Sequence, residues 1–207
     1  MNSYVSCIIA AITGYLIGNV QFAVILSRLF HHDDVRNHGS GNAGSTNMLR
    51  VYGVKSGVLT FIGDFLKGVL GVIIGRALGG EYAAYCAGMG VILGHDFPAF
   101  FRFRGGKGVA ASFGIICVLT PMWTLGVAVI AVIVIALTRT ISLVSITSAV
   151  AYLAIALIFG EDIAIKIFAV LAASLLLIRH KDNIKRLIQG KEDHVRAGTK
   201  DSKTKNS

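Results

Sequence analysis

The chain has 207 residues, 54% of them hydrophobic and only 15% charged. A soluble domain carries about 25% charged residues, so too little polar surface is available here for a water-soluble monomer. The net charge of +9 is gathered in short polar islands between long apolar runs, which speaks against the broad basic surface of a nucleic-acid-binding protein and for attraction to phosphate on lipids or small substrates.

The apolar runs cover residues 4–29, 54–78, 82–93, 109–137, 141–159 and 163–178. A bilayer-spanning helix needs about 20 apolar residues; most runs reach that length, 163–178 is a little short and 82–93 clearly so. The first run has no basic residue before it and is too long for the apolar region of a signal peptide. Cys7, Cys86 and Cys117 each fall inside an apolar run without metal-ligand spacing, so neither a disulfide framework nor a metal site is expected. The run 109–137 contains Thr120-Pro121, and reads as one kinked span or as two short ones.

Charge decides between these. With two spans the total is seven, and 28–55, 95–107, Arg139 and the chain from Arg179 share one side. That side then holds 17 of the 20 Lys and Arg residues, the positive-inside pattern that places it in the cytoplasm and the N-terminus outside. The expectation is an all-α, polytopic membrane protein of about seven transmembrane helices. Residues 1–193 form its membrane domain and 194–207 a polar, disordered tail. The weak point is 109–119, too short to cross about 30 Å unaided.

Three islands concentrate polar chemistry. Residues 37–50 pack Gly39, Gly41 and Gly44 among Ser40, Asn42, Ser45, Thr46 and Asn47, and end on Arg50. Glycine lets the backbone approach a ligand, and a guanidinium offers a planar fork to phosphate; on composition alone the segment also fits a flexible inter-helix loop. Residues 94–108 end in Arg104-Gly-Gly-Lys-Gly108 just before an apolar helix, a natural anion site or a basic loop touching headgroups. Gly108, where a nucleotide P-loop has Ser or Thr, rules out that motif. Residues 179–192 place His180 and Asn183 three apart, on one face of a helix, among Lys and Arg residues that also suit a polybasic anchor. Within the span 54–78, Asp64 and Lys67 at i,i+3 read as a mutual ion pair facing other helices. His31, His32 and His38 read as interfacial.

Taken in order, these islands resemble the bacterial glycerol-3-phosphate acyltransferases that use acyl phosphate as donor. The resemblance rests on Gly39–Asn47 with Arg50, on Gly94-His95 with Pro98 and residues 104–108, and on Arg179-His180 with Asn183-Ile184 and residues 190–192. It implies an enzyme of the bacterial inner membrane with its active site on the cytoplasmic side. The implied reaction moves a fatty acyl group from acyl phosphate to the 1-hydroxyl of glycerol 3-phosphate, giving lysophosphatidic acid and phosphate, the first step of phospholipid synthesis. It implies catalytic roles for Ser40, Arg50, Lys107, His180 and Asn183. It implies substrate binding by Gly39, Gly41, Asn42, Thr46, Asn47, His95, Arg104, Gly105, Gly106 and Gly108, and a structural role for Glu192. No metal or cofactor is expected; the implied partners are the two substrates, membrane lipid and other enzymes of phospholipid synthesis.

Acyl phosphate is an activated anhydride, so a strong protein nucleophile is unnecessary. The proton acceptor stays open between His180, His95 and a substrate phosphate; the phosphate is favoured because no histidine has an evident carboxylate partner in the sequence. An anion transporter would place its binding groups near the bilayer midplane, where only Asp64 and Lys67 lie. A lipid-binding scaffold leaves the Gly, Ser, Asn and Thr grouping unexplained.

Overall fold

A computed structural model describes residues 3–194, and all regular structure among them is helical. The helices are α1 (Ser3–Gly18), α2 (Phe22–His31), α3 (Ser45–Tyr52), α4 (Val54–Asp96), α5 (Val109–Leu119), α6 (Pro121–Thr138), α7 (Ile141–Phe159), α8 (Ile163–Arg179) and α9 (Lys181–Ile188). Short 3-10 turns cover Val35–Asn37 and Ala99–Phe101. The polar segment expected over 194–207 lies outside the described residues except for His194.

Helix α4 is continuous in its apolar character but not in its backbone. Gly79 and Gly80 leave helical geometry, Gly80 at φ 74° and ψ −158°, a region open to glycine and closed to residues with a Cβ. The chain reverses there, so arm 54–78 packs back on arm 81–96 with Val72 and Val91 in one core cluster. The second arm runs further than the apolar run suggested and carries His95 and Asp96 on its last turn, both buried. It is the centre of the bundle because its residues are small. A Cβ at Gly90 would stand 2.2 Å from Ala11 O, and one at Gly94 2.2 Å from Tyr15 O, so α1 lies backbone to backbone on this arm. Lipid offers no hydrophobic drive between helices, and such close van der Waals approach takes its place. Ile115 of α5, Tyr152 of α7 and Phe168 of α8 complete the same core. Leu66, Leu70, Ile73, Val132, Leu137, Ile158 and Ile167 point outward as the lipid-facing surface.

Four helical stretches are long and apolar enough to cross a membrane, 3–31, 54–101, 121–138 and 141–159, and α8 with α9 makes a fifth, bent by 62°. The run 109–137 is broken at Thr120, with Pro121 opening α6. Proline suits this first helical position because its missing N–H has no partner there. Thr124 Oγ1 donates to Ile116 O (2.7 Å) and lies 2.9 Å from Thr120 O, so a hydroxyl serves carbonyls that lipid cannot. Thr120 lies 3.3 Å from the Tyr152 hydroxyl, seven residues before the end of α7. At 1.5 Å per residue the α5–α6 turn stops about 10 Å short of that end, with Thr120 half-buried and Pro121 and Met122 exposed.

The connections sort to two ends. Gly79 packs on Ser6 and Tyr82 bonds to Asp162, joining the start of α1, the α4 reversal and the α7–α8 turn. At the other end the 32–44 and 97–108 loops, the α6–α7 turn and the chain after Arg179 meet.

Candidate active site

The 32–44 loop is built around two side chains. Asp34 receives the Arg36 guanidinium (2.7 Å) and Arg28 (2.9 Å), and the hydrogen bonds from Arg36 hold its carboxyl well below the usual range despite partial burial. Arg36 also donates to Phe101 O (2.9 Å) and Arg104 O (3.3 Å), which stitches this loop to the 97–108 loop. Asn47 is buried. Its Nδ2 lies 3.0–3.1 Å from Val35 O, His38 O and Asn42 O, and its Oδ1 accepts from Ser40 N at 2.9 Å. Every polar atom of Asn47 is therefore engaged in shaping the loop. Ser40 and Gly39 are exposed on that loop, Gly41, Asn42 and Thr46 half-buried, and Asn42 Nδ2 stands 3.3 Å from Ser40 Oγ. Arg50, in the last turn of α3, is exposed and pairs with Asp193 at 3.0 Å.

The 97–108 loop returns onto the end of α4. Gly106 N donates to His95 O at 3.1 Å. A Cβ at Gly106 would stand 2.1 Å from His95 Nε2 and 2.9 Å from Ala43 O, so only glycine lets the two loops and His95 meet here. Gly106 O accepts from Arg179 Nη2 (2.6 Å) and Nε (3.2 Å). Arg179 Nε is also 3.9 Å from the buried Asp96 carboxylate, and its guanidinium lies 5.1 Å from the Phe97 ring centroid. Gly105 and Gly108 are buried beside the same turn, whereas Arg104 is exposed.

Lys107 reaches across to α9. Its Nζ donates to Asn183 Oδ1, Asn183 Nδ2 donates to Glu192 Oε1 (2.5 Å), and Arg186 donates to Glu192 Oε2 (2.7 Å). Burial, then the positive charge of Arg186, pushes Lys107 down to about 8. Burial alone would raise Glu192; hydrogen bonds from Arg186 and Asn183 outweigh it and hold the carboxyl below its ordinary value. His180 sits at the α8–α9 bend with Nδ1 2.9 Å from Leu176 O. A carbonyl only accepts, so the proton is on Nδ1 and Nε2 of the neutral ring keeps its lone pair. Burial pushes the imidazole down to about 4, so it is neutral at pH 7 and a weak base.

The structure thus joins His95, Gly105 and Gly106 at one junction, and Lys107 to Asn183 at another, with Arg179 reaching from the third island to the first junction. Ser40, Arg50, Thr46 and Arg104 border this end without a direct bond to either junction. Sequence reasoning gave no separate role to Arg36, Asp96 or Arg179, although Arg179 is among the residues that carry the resemblance; for Arg36, its place three residues before Gly39 of the glycine-rich island was the available signal. Asp64 and Lys67 do pair, at 2.9 Å. What the sequence did not reveal is that His95 joins them, 2.8 Å from Lys67 Nζ and 3.4 Å from Asp64 Oδ1, so one histidine does have a carboxylate neighbour.

Residues 8–190 match the family profile described as glycerol-3-phosphate acyltransferase. A protein of that name from Thermoanaerobacter pseudethanolicus is 44% identical over 91% of this chain and 95% of its own length. Another from Finegoldia magna is 38% identical over 93% and 98%. Among solved structures, the glycerol 3-phosphate form of PlsY (YgiH), an integral membrane glycerol 3-phosphate acyltransferase, superposes with a TM-score of 0.87 at 34% identity, covering 92% of this chain and 96% of that one. The lysophosphatidic acid form superposes at 0.84, with 32% identity and the same coverage. A match of this extent, over a bundle that gathers three polar islands at one end, places the chain in the glycerol-3-phosphate acyltransferase family.

Proposed function

We infer that this chain transfers a fatty acyl group from acyl phosphate to the 1-hydroxyl of glycerol 3-phosphate, releasing lysophosphatidic acid and phosphate, the first step of phospholipid synthesis. The observation that carries the assignment to this end of the bundle is the bridging of the islands, Arg36 to Phe101 O, Arg179 to Gly106 O and Lys107 to Asn183. Two phosphorylated substrates repel each other, and cations held half out of water offset that repulsion while fixing orientation. Lys107 faces the departing phosphate. Arg50 holds the glycerol phosphate, whose oxygens replace the Asp193 carboxylate in the guanidinium fork. The glycerol 1-hydroxyl attacks the acyl carbonyl carbon, the carbonyl–oxygen bond to phosphate breaks, and the hydroxyl proton passes to a phosphate oxygen. A phosphate with its second pKa near 6 is a better acceptor at neutral pH than His180, whose ring is pushed down to about 4. His180, Ser40 and Asn183 orient the groups.

The donor choice is tested directly. With purified protein, acyl phosphate supports turnover and acyl-CoA does not; sustained turnover of acyl-CoA without acyl phosphate would refute the assignment.

The membrane arrangement we infer has seven crossings, with α1, the two arms of α4, α5, α6, α7 and α8 alternating between the two ends. The N-terminus lies outside, and the active site faces the cytoplasm of the bacterial inner membrane. Support comes from the charge asymmetry and from the sorting of connections to two ends. Cysteines introduced at Ser45, Phe103 and Ile188 are each labelled by an impermeant reagent from the cytoplasmic side alone. Labelling of Ile188→Cys from outside ends the seven-crossing arrangement.

A further inference from the structure

Lys67 is buried in the first arm of α4, 49 residues from Gly18 in sequence and beside it in space. Its ammonium has three hydrogens, and three acceptors are placed for them: Val20 O at 2.6 Å, His95 Nδ1 at 2.8 Å and Gly18 O at 3.1 Å. Asp64 Oδ1 stands 2.9 Å away as the countercharge, off the hydrogen-bond directions, since that oxygen has no hydrogen bond of its own among the described residues. An ammonium has no lone pair. It cannot accept from an imidazole N–H, so His95 Nδ1 must be the unprotonated nitrogen and the ring proton sits on Nε2. Nε2 is the atom over the Gly106 backbone, on the side where Gly106 meets Ala43. The rest of His95 is held as firmly, its carbonyl accepting from Gly106 N (3.1 Å) and Gln21 Nε2 (3.2 Å).

We propose that Lys67 is a positioning residue for acyl transfer: it holds His95 in the Nε2–H form, so that His95 offers a hydrogen-bond donor to a substrate phosphate where the 32–44 and 97–108 loops meet, and is not the base. This rests on the acyl-transfer reading and narrows it. His180 has the opposite tautomer, with Nδ1–H committed to Leu176 O, so the two site histidines present opposite edges. Asp64 is the countercharge that lets a lysine remain an ammonium inside the bundle.

The first test needs neither substrate nor mutation. Nitrogen-15 NMR of histidine-labelled protein in lipid nanodiscs at pH 7, with His95 assigned by loss of its signal in His95→Gln, should show a neutral ring protonated at Nε2. A ring protonated at Nδ1, or at both nitrogens, overturns the proposal. In Lys67→Met the Nδ1–H form should appear, donating to Asp64, and kcat should fall at least about tenfold while KM for glycerol 3-phosphate moves by less than about threefold. Unchanged tautomer and kcat in a folded Lys67→Met protein also overturn it. Glutamine can place an N–H near the Nε2 position and asparagine near Nδ1, so His95→Gln should exceed His95→Asn in kcat by about tenfold; the reverse order contradicts the donor role. Because the tautomer is read without turnover, absence of acyl transfer by wild-type protein would sink the functional reading and leave the Lys67–His95 bond standing.

Discussion

Gly106→Ala lowers kcat/KM for acyl transfer at least about a hundredfold in protein that still inserts and folds. The added methyl group would stand 2.1 Å from His95 Nε2 and 2.9 Å from Ala43 O, distances that only displacement relieves. Neither neighbour yields cheaply: His95 is tied to Lys67 and Gln21, and the Gly106 carbonyl is gripped by Arg179. Relief therefore comes from parting the two loops by something near an ångström, and misplacement on that scale costs about a hundredfold in a reaction that depends on orientation. Steady-state kinetics on detergent-purified protein, with circular dichroism to establish helix content, decide it. Full activity would show that the loops need not meet here.

Lys107→Ala and Arg50→Lys each reduce kcat/KM at least about tenfold, roughly 1.4 kcal/mol of lost transition-state binding. Lys203→Ala, outside all three islands, changes it less than about twofold. Arg50→Lys keeps the charge and removes the fork, so it tests geometry. Lys107 adds a pH signature. Its value of about 8 lies below the ordinary lysine value because the charged form is poorly solvated and faces Arg186. The cation is present below that pH and lost above it, so kcat/KM should decline as pH rises through about 8. Lys107→Arg should move that decline to higher pH, since a guanidinium stays protonated throughout. Equal losses in all three cation variants would mean a diffuse positive field in place of a specific phosphate site, and an alkaline limb unmoved in Lys107→Arg would assign the titration to another group.

Features legible in the sequence were those set by local chemistry. A proline after an apolar run ends a helix wherever the run lies, so the break at Thr120 was readable. Asp64 and Lys67 at i,i+3 in an apolar span had little choice but each other. Basic residues crowded into alternate connections indicated that those connections share an end, and Arg36, Lys107 and Arg179 indeed bridge them. The missing part depended on a reversal that composition hides. His95 meets Lys67 only because α4 doubles back at Gly79-Gly80; apolar residues continue on both sides, and nothing local announces which residues then face each other. The same reversal turned Gly94-His95-Asp96, read as the start of a loop, into a buried helical turn. Asn47 illustrates a second limit. Its residue type suits a ligand contact and a loop brace equally, and only the four partners around it show that it braces. Glu192 was expected to be structural, and its bonds to Asn183 and Arg186 describe such a brace.

We propose that this end of the bundle joins an acyl phosphate to glycerol 3-phosphate with no other acyl donor. The most direct measurement follows phosphate release and lysophosphatidic acid formation together, on purified protein supplied with acyl phosphate, with and without glycerol 3-phosphate. Phosphate release should be negligible without glycerol 3-phosphate, and with it phosphate and lysophosphatidic acid should appear one for one. Phosphate release that ignores glycerol 3-phosphate, or acyl phosphate left intact in its presence, would contradict it.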